Sequence, residues 1–155
     1  MADFPTYKSV VDQFEAACDA HQAIKQFGEG SIDRLDSLFQ NVKYPFAFLR
    51  PLQSTGMVLN TNGVSGARSL NFEFYMMDIP QLTDVDVLKL QSQTEIYIYD
   101  IIAYLNLGAV QREEYITLNN ISPLYEAFND RVAGWQANIT FNSYGVLNFC
   151  NFPSL

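Results

Sequence analysis

From Trp135 to Asn142 apolar and polar residues alternate without a break. Trp135, Ala137, Ile139 and Phe141 fall on one side of an extended chain, and Gln136, Asn138, Thr140 and Asn142 on the other. A repeat of two marks a strand with one buried face and one wet face. Leu70–Met77 carries nearly the same pattern, with Leu70, Phe72, Phe74 and Met76 set against Asn71, Glu73, Tyr75 and Met77. Between these segments the period changes. Val87, Leu90, Thr94, Ile98, Ile101, Ile102 and Leu105 recur at helical spacing. That spacing predicts a long helix over roughly Asp86–Leu107, capped by Thr83 or Asp84 after Pro80 and stopped at Gly108. Tyr97, Tyr99 and Tyr104 lie around its apolar stripe and extend it towards a neighbour.

The same reading places a first helix after Pro5-Thr6, with Val10, Val11, Phe14, Ala17 and Cys18 inward, fading over Gln22–Phe27. Ser31 or Asp33 caps a short second helical turn carrying Leu35, Leu38 and Phe39. Tyr44–Arg50 is nearly all apolar and predicts an inner strand, with Pro45 at its start because proline brings no amide proton. Leu52–Arg68 holds three glycines and an Asn62-Gly63 turn signal, which predicts a ribbon from Met57–Asn60 back through Val64, projecting as an arm. Glu114–Asn120 forms a further strand, Ser122-Pro123 through Asn129-Asp130 a turn, and Gly134 leads into the last strand. Such an order predicts one α+β domain over residues 1–155. Its antiparallel or mixed sheet would carry helices packed on one face and a β-hairpin arm at about 52–68.

Composition sharpens this picture only at its edges. Nine basic and seventeen acidic residues give a net charge of −8, without the Lys/Arg cluster that binding to nucleic acid by counterion release requires. An acidic wall past which DNA slides without sticking remains compatible with that charge, as does an ordinary acidic protein. Twelve Phe and nine Tyr are more aromatics than one small core needs, which points to burial against another subunit. Two cysteines far apart, Cys18 and Cys150, make no disulfide framework and lead us to expect a reducing interior. The first residues lack a signal-peptide pattern, and no apolar run is long enough for a membrane span, so a chain made in the cytoplasm is expected.

Candidate chemistry is sparse. Cys18 and His21 lie on one face of the first helix, but Cys18 sits on the apolar stripe and no orienting group is evident. A buried structural thiol is the expected outcome. Asp78, Asp84 and Asp86 could gather around Mg²⁺ or Ca²⁺ in one loop, yet they lack EF-hand spacing and a clamping Glu, and helix capping with ordinary solvation is the better account of them. Gly28-Glu29-Gly30 lacks the third glycine of a dinucleotide site, and Glu113-Glu114 would point to opposite faces of a strand. No catalytic, metal-binding or cofactor-binding residue is therefore expected, and no enzyme activity. The hexad Asp130-Arg131-Val132-Ala133-Gly134-Trp135 has two readings. In one, Asp130 and Arg131 pair across a subunit boundary beside Trp135; in the other, a tight turn sets Trp135 into the core.

At this hexad the chain resembles small neck and tail-completion proteins of tailed bacteriophages, those of crAss-like phages in particular. Four segments carry the resemblance besides Phe128-Asn129 and the hexad. They are Tyr44-Pro45-Phe46-Ala47-Phe48-Leu49 with the arm behind it, Phe72–Asp78 ending in Met-Met-Asp, Asp100-Ile101-Ile102-Ala103, and Asn148-Phe149-Cys150-Asn151-Phe152-Pro153. The resemblance implies a tail-terminator-like fold and a virion structural role. Copies of the chain would form a sixfold or twelvefold homo-oligomeric ring at the head–tail junction, against portal, other neck-ring and tail proteins. DNA would pass through the lumen without specific binding, with no membrane partner. Subunit contacts would fall on Met57, Val58, Leu59, Asn62, Gly63 and Arg68 of the arm and on Asp130, Arg131 and Trp135. The alternative is a cytoplasmic oligomeric adaptor or inhibitor that binds one protein partner.

Overall fold

Thr6 begins the first helix: its hydroxyl accepts a hydrogen bond from the Ser9 amide at 3.1 Å, and α1 runs Tyr7–Ala20. A computed structural model describes residues 3–38, 41–80, 84–127 and 132–147. After α1 come β1 (Gln26–Glu29), α2 (Ile32–Leu38), β2 (Phe46–Leu59) and β3 (Ser65–Asp78). The long helix α3 (Asp84–Ala109) then leads through a 3-10 turn at Val110–Arg112 into β4 (Glu114–Ala127) and β5 (Val132–Val146). The sheet order is β1-β2-β3-β5-β4. β1 pairs parallel with β2, and the other neighbours are antiparallel. Asp3 adds an isolated parallel bridge to Val146. The chain is thus α+β, with a mixed sheet and, among the described residues, three α-helices.

The two alternating segments behave as their period requires. Leu70, Phe72, Phe74, Met76, Ala137, Ile139 and Phe141 are buried against α1 and α3 in one continuous core. Val10, Phe14, Ala17 and Cys18 of α1 meet Ile98, Ile101 and Leu105 of α3 in that core. Phe14 packs its ring 5.6 Å from Phe74 and 6.3 Å from Phe72. Each fully buried side chain of this size contributes about 1.5–3 kcal/mol, and Phe14, Phe72 and Phe74 are all sealed from solvent.

Helices on one face only is an expectation that fails for α2. Leu35 of α2 packs on the opposite side of the sheet, with Phe46, Phe48, Tyr75, Met77 and Val132. The reason lies in β2: Phe46, Ala47, Phe48 and Leu49 are all apolar, so that strand needs cover on both faces. The Ser31 hydroxyl caps α2 by accepting from the Arg34 amide at 3.3 Å. Phe39 lies outside the described residues.

Three other boundaries differ from the sequence reading. Gly108 does not stop α3, because the chain tightens into the 3-10 turn and reaches a left-handed conformation only at Glu113 (φ 55°). β4 continues through Ser122-Pro123, which had been expected to turn. At a sheet edge, proline's missing amide need not break a ladder. A bulge between Leu118 and Asn120 breaks the alternation that would have revealed this longer strand. β1 was not anticipated, since four residues are too short to display a period.

The stretch 52–68 forms a hairpin continuous with the sheet. Asn62 shapes its turn, its side-chain oxygen accepting from the amides of Val64 (3.0 Å) and Ser65 (3.1 Å). Gly63 supplies the positive φ of 71°. The returning strand pairs on both sides, with Thr55–Leu59 of β2 and with Phe141–Val146 of β5.

Candidate functional site

No residue from Pro51 to Ala67 carries a charge, in a chain with 26 charged side chains other than histidine. Within that stretch Met57, Val58 and Leu59 are 45%, 73% and 39% exposed. Beyond Leu49 no described strand pairs with the outer side of β2. The register assigns their faces: Met57 pairs with Arg68 and Leu59 with Gly66, on the face that carries α1 and α3, while Val58 pairs with Ala67 on the other. Arg68 ties the hairpin to the start of α1, its guanidinium donating to the Pro5 carbonyl at 2.8 Å. The six arm residues singled out from sequence thus gather in one hairpin. Met57, Val58 and Leu59 face solvent, Asn62 and Gly63 form the turn, and Arg68 anchors the base.

Trp135 lies elsewhere, at the far end of the sheet opposite Met76. It packs against the main core, and its indole nitrogen donates to the Gln91 carbonyl of α3 at 2.7 Å. Asp130 and Arg131 fall outside the described residues.

At the opposite edge of the sheet, side chains of α3 bond backbone groups of two β4 residues, while Tyr115 and Tyr125 of that strand stay exposed. Asn106 of α3 accepts from the Ile116 amide at 2.7 Å and donates to the Ile116 carbonyl at 3.1 Å, taking up both backbone groups of that residue. Gln91, itself buried, donates to the Leu124 carbonyl at 3.1 Å. These bonds guard β4 against pairing with a foreign strand.

Between α1 and the C-terminal turns of α3 runs a groove of about 490 Å³, lined by Gln13, Ala16, Tyr104, Leu105, Leu107 and Arg112 among others. Leu107 and Tyr104 are 82% and 56% exposed on its rim. Arg112 closes one end, donating to Glu114 (2.9 Å) and to Gln13 (3.2 Å). Sequence reasoning missed the groove. Its one signal was that Tyr104 and Leu107 lie off the buried stripe of α3.

The sheet face away from α1 and α3 holds a network of neutral polar side chains. Ser69 donates to Asn142 (3.0 Å), Thr140 to Asn71 (2.8 Å), Asn119 to Thr140 (2.8 Å) and Asn138 to Asn120 (2.6 Å). Beside them Arg50 pairs with Glu73 at 2.7 Å, and the Tyr75 hydroxyl donates to the same carboxylate at 2.8 Å. Burial, reinforced by Glu73, pushes the Tyr75 phenol up to about 12.

The residues considered for chemistry are differently disposed. Cys18 is buried, and burial raises its thiol well above the ordinary range, so it stays protonated. His21 does not pair with it. Its Nδ1 accepts from the Ala23 amide at 3.2 Å, which leaves Nε2 to donate to Asp100 at 3.2 Å, tying the end of α1 to α3. Asp78 and Asp86 line one cavity of about 260 Å³ with Lys89. Asp78 accepts from the Ile79 amide at 2.8 Å while burial raises its carboxyl pKa. The side chain of Asp84 falls outside the described residues. Among those described, no three His, Cys, Asp or Glu side chains converge as a metal site, and no helix is long and apolar enough to cross a membrane.

No protein-family model matches the sequence, and no curated protein matches it significantly.

Proposed function

We propose that this chain is a non-enzymatic virion protein of tailed bacteriophages with a tail-terminator-like architecture. It forms a homo-oligomeric ring at the neck and joins portal-side components to the tail. The observation that carries this reading is the difference between the two sheet edges. An uncharged hairpin strand exposes Met57, Val58 and Leu59 on one side, while side chains of α3 occupy backbone groups of Ile116 and Leu124 of β4 on the other. Unlike sides favour head-to-tail contacts, and such contacts close into a ring when the rotation between copies allows. The segments Tyr44–Leu49, Phe72–Asp78 and Asp100–Ala103, through which the chain resembles neck proteins, build the sheet and helix that hold this hairpin in place.

In this reading the hairpin is the contact arm, and the amide and hydroxyl network of the open sheet face suits a wall past which DNA moves. Neutral side chains bonded to one another, in a chain of net charge −8, offer phosphates no cluster of cations to hold. Electron microscopy of the purified chain, with cross-linking inside purified particles, tests the proposal. Rings, and multimeric cross-links within virions, are expected. A chain that is absent from particles and forms a stable one-to-one complex in lysate overturns it in favour of the adaptor reading.

A further inference from the structure

The hairpin end of β2 presents an ordered row of backbone groups to solvent. The Asn60 amide donates to the Ser65 carbonyl at 2.7 Å, which sets the parity of the ladder beside it. In an antiparallel pair every second residue bonds to its neighbour, so Val58 and Gly56 turn their backbone groups towards β3. Thr55, Met57 and Leu59 turn theirs outward, with no shift of register among them. β1 pairs with β2 only over Phe46–Leu49, and no described strand lies outside the rest of it. Thr55–Leu59 holds neither charge nor proline. Such an edge is a template for one more strand.

We infer that the free chain pairs edge to edge with a second copy of itself through Thr55–Leu59, the two strands running antiparallel about a two-fold axis at Met57. The inference goes beyond the ring reading. A two-fold contact closes at two copies, so hairpins paired in this way are withheld from head-to-tail assembly. Three observations favour this occupant. The strand is its own complement: with Met57 opposite Met57 and Thr55 opposite Leu59, every outward amide and carbonyl of the row finds a partner. An axis at Gly56 or Val58 instead draws in residues from the irregular register before Thr55 or from the turn after Asn60. The Met57 register also sets Val58, 73% exposed, opposite Gly56 of the other copy, where an added Cβ would meet no atom within 4 Å. Each copy thus leaves open the place beside which the other's Val58 lies. Finally, copies that each carry a charge of −8 repel one another, and this register lays residues 51–63 against themselves, a span without a charge. The turn of the second copy, residues 60–63, then falls opposite residues 51–54, clear of β1, which ends at the level of Leu49.

The test uses the full-length chain with Cys150→Ser and the buried Cys18 left in place. Met57→Cys, Val58→Cys and Gly56→Cys are made separately and oxidised in dilute solution. Met57→Cys is expected to join to itself, since residues paired at the axis stand about 5.5 Å apart between Cα atoms, within the span of a disulfide. Val58→Cys is expected to join to Gly56→Cys when the two are mixed. It is not expected to join to itself, because two Val58 positions lie diagonally, about 7–8 Å apart. Met57→Cys that stays unlinked, or Val58→Cys that links to itself as readily, overturns the inference. In a second arm, Met57→Pro removes an outward amide without removing a bond to β3. Sedimentation is expected to find the concentration needed for pairing raised by roughly tenfold or more. A pairing equilibrium that Met57→Pro leaves unchanged overturns the inference. Rings in particles beside an unlinked Met57→Cys overturn the pairing and leave the ring reading standing. Linked pairs from a chain that never forms rings sustain the pairing and count against the ring.

Discussion

Along β4 the outermost strand lies beneath α3, where Asn106 and Gln91 occupy the backbone groups of Ile116 and Leu124 and the indole of Trp135 is held by Gln91. Along β2, residues 55–59 carry Met57, Val58 and Leu59 into solvent with no described strand outside them. The two edges have similar composition: neither Thr55–Leu59 nor Tyr115–Tyr125 contains a charged residue. Their difference comes from cover. An uncharged edge strand is a hazard in a lone molecule, and at one edge only a long helix takes up backbone groups of the outer strand, at Ile116 and Leu124. What is left open is an uncharged strand facing solvent, which the proposed ring would bury against another copy.

Substitutions break or sharpen this contrast, the largest effect first. Trp135→Ala on the covered side should cost about 3 kcal/mol in chemical denaturation, through lost packing and the lost bond to Gln91. A loss below about 1 kcal/mol would show that α3 does not depend on this seam. Asn106→Ala should cost about 1–3 kcal/mol, since it strands the amide and carbonyl of Ile116. Light scattering should also show stronger self-association as that edge opens. If Asn106→Ala aggregates no more than the parent, the guarding role is wrong. Met57→Lys with Val58→Lys should shift stability by no more than about 0.5 kcal/mol, because the side chains already face water. Sedimentation should nonetheless find the assembly abolished.

A further effect, confined to high pH, concerns Tyr75, whose hydroxyl donates to Glu73 on the sheet face away from α1 and α3. Its phenol titrates near 12 in the folded chain and near 10 once unfolded. Between those values the unfolded chain has released a proton that the folded chain keeps. The contribution is therefore complete below pH ~10 and disappears as pH rises towards 12. Tyr75→Phe should show a flatter stability curve over that window; identical curves would mean that burial does not hold the proton.

Much of the interior was legible without coordinates. The inward set of β3 and β5 follows from a repeat of two, and the buried set of α3 from helical spacing, because one-sided burial imprints its geometry on the order of residues. The hairpin turn was legible for the same local reason, with Asn62 and Gly63 supplying its bonds and its positive φ. The limits of β4 were not, since the bulge at Asn119 interrupts the period. Nor was the position of α2: an all-apolar Phe46–Leu49 tells that both faces need cover, but not which helix supplies it. The groove was illegible because its walls come from α1 and α3, whose residues are distant in sequence.

The amino-acid order by itself determined the α+β class, the faces of β3 and β5, the Ser31 cap and the uncharged character of 51–67. Those properties depend on near neighbours, on alternation and on side-chain chemistry. Only the tertiary structure decided which edge's backbone groups α3 occupies, that Trp135 serves α3, and that α2 covers the second face of β2. Each of these depends on which distant segments come to lie side by side, and no local pattern records that.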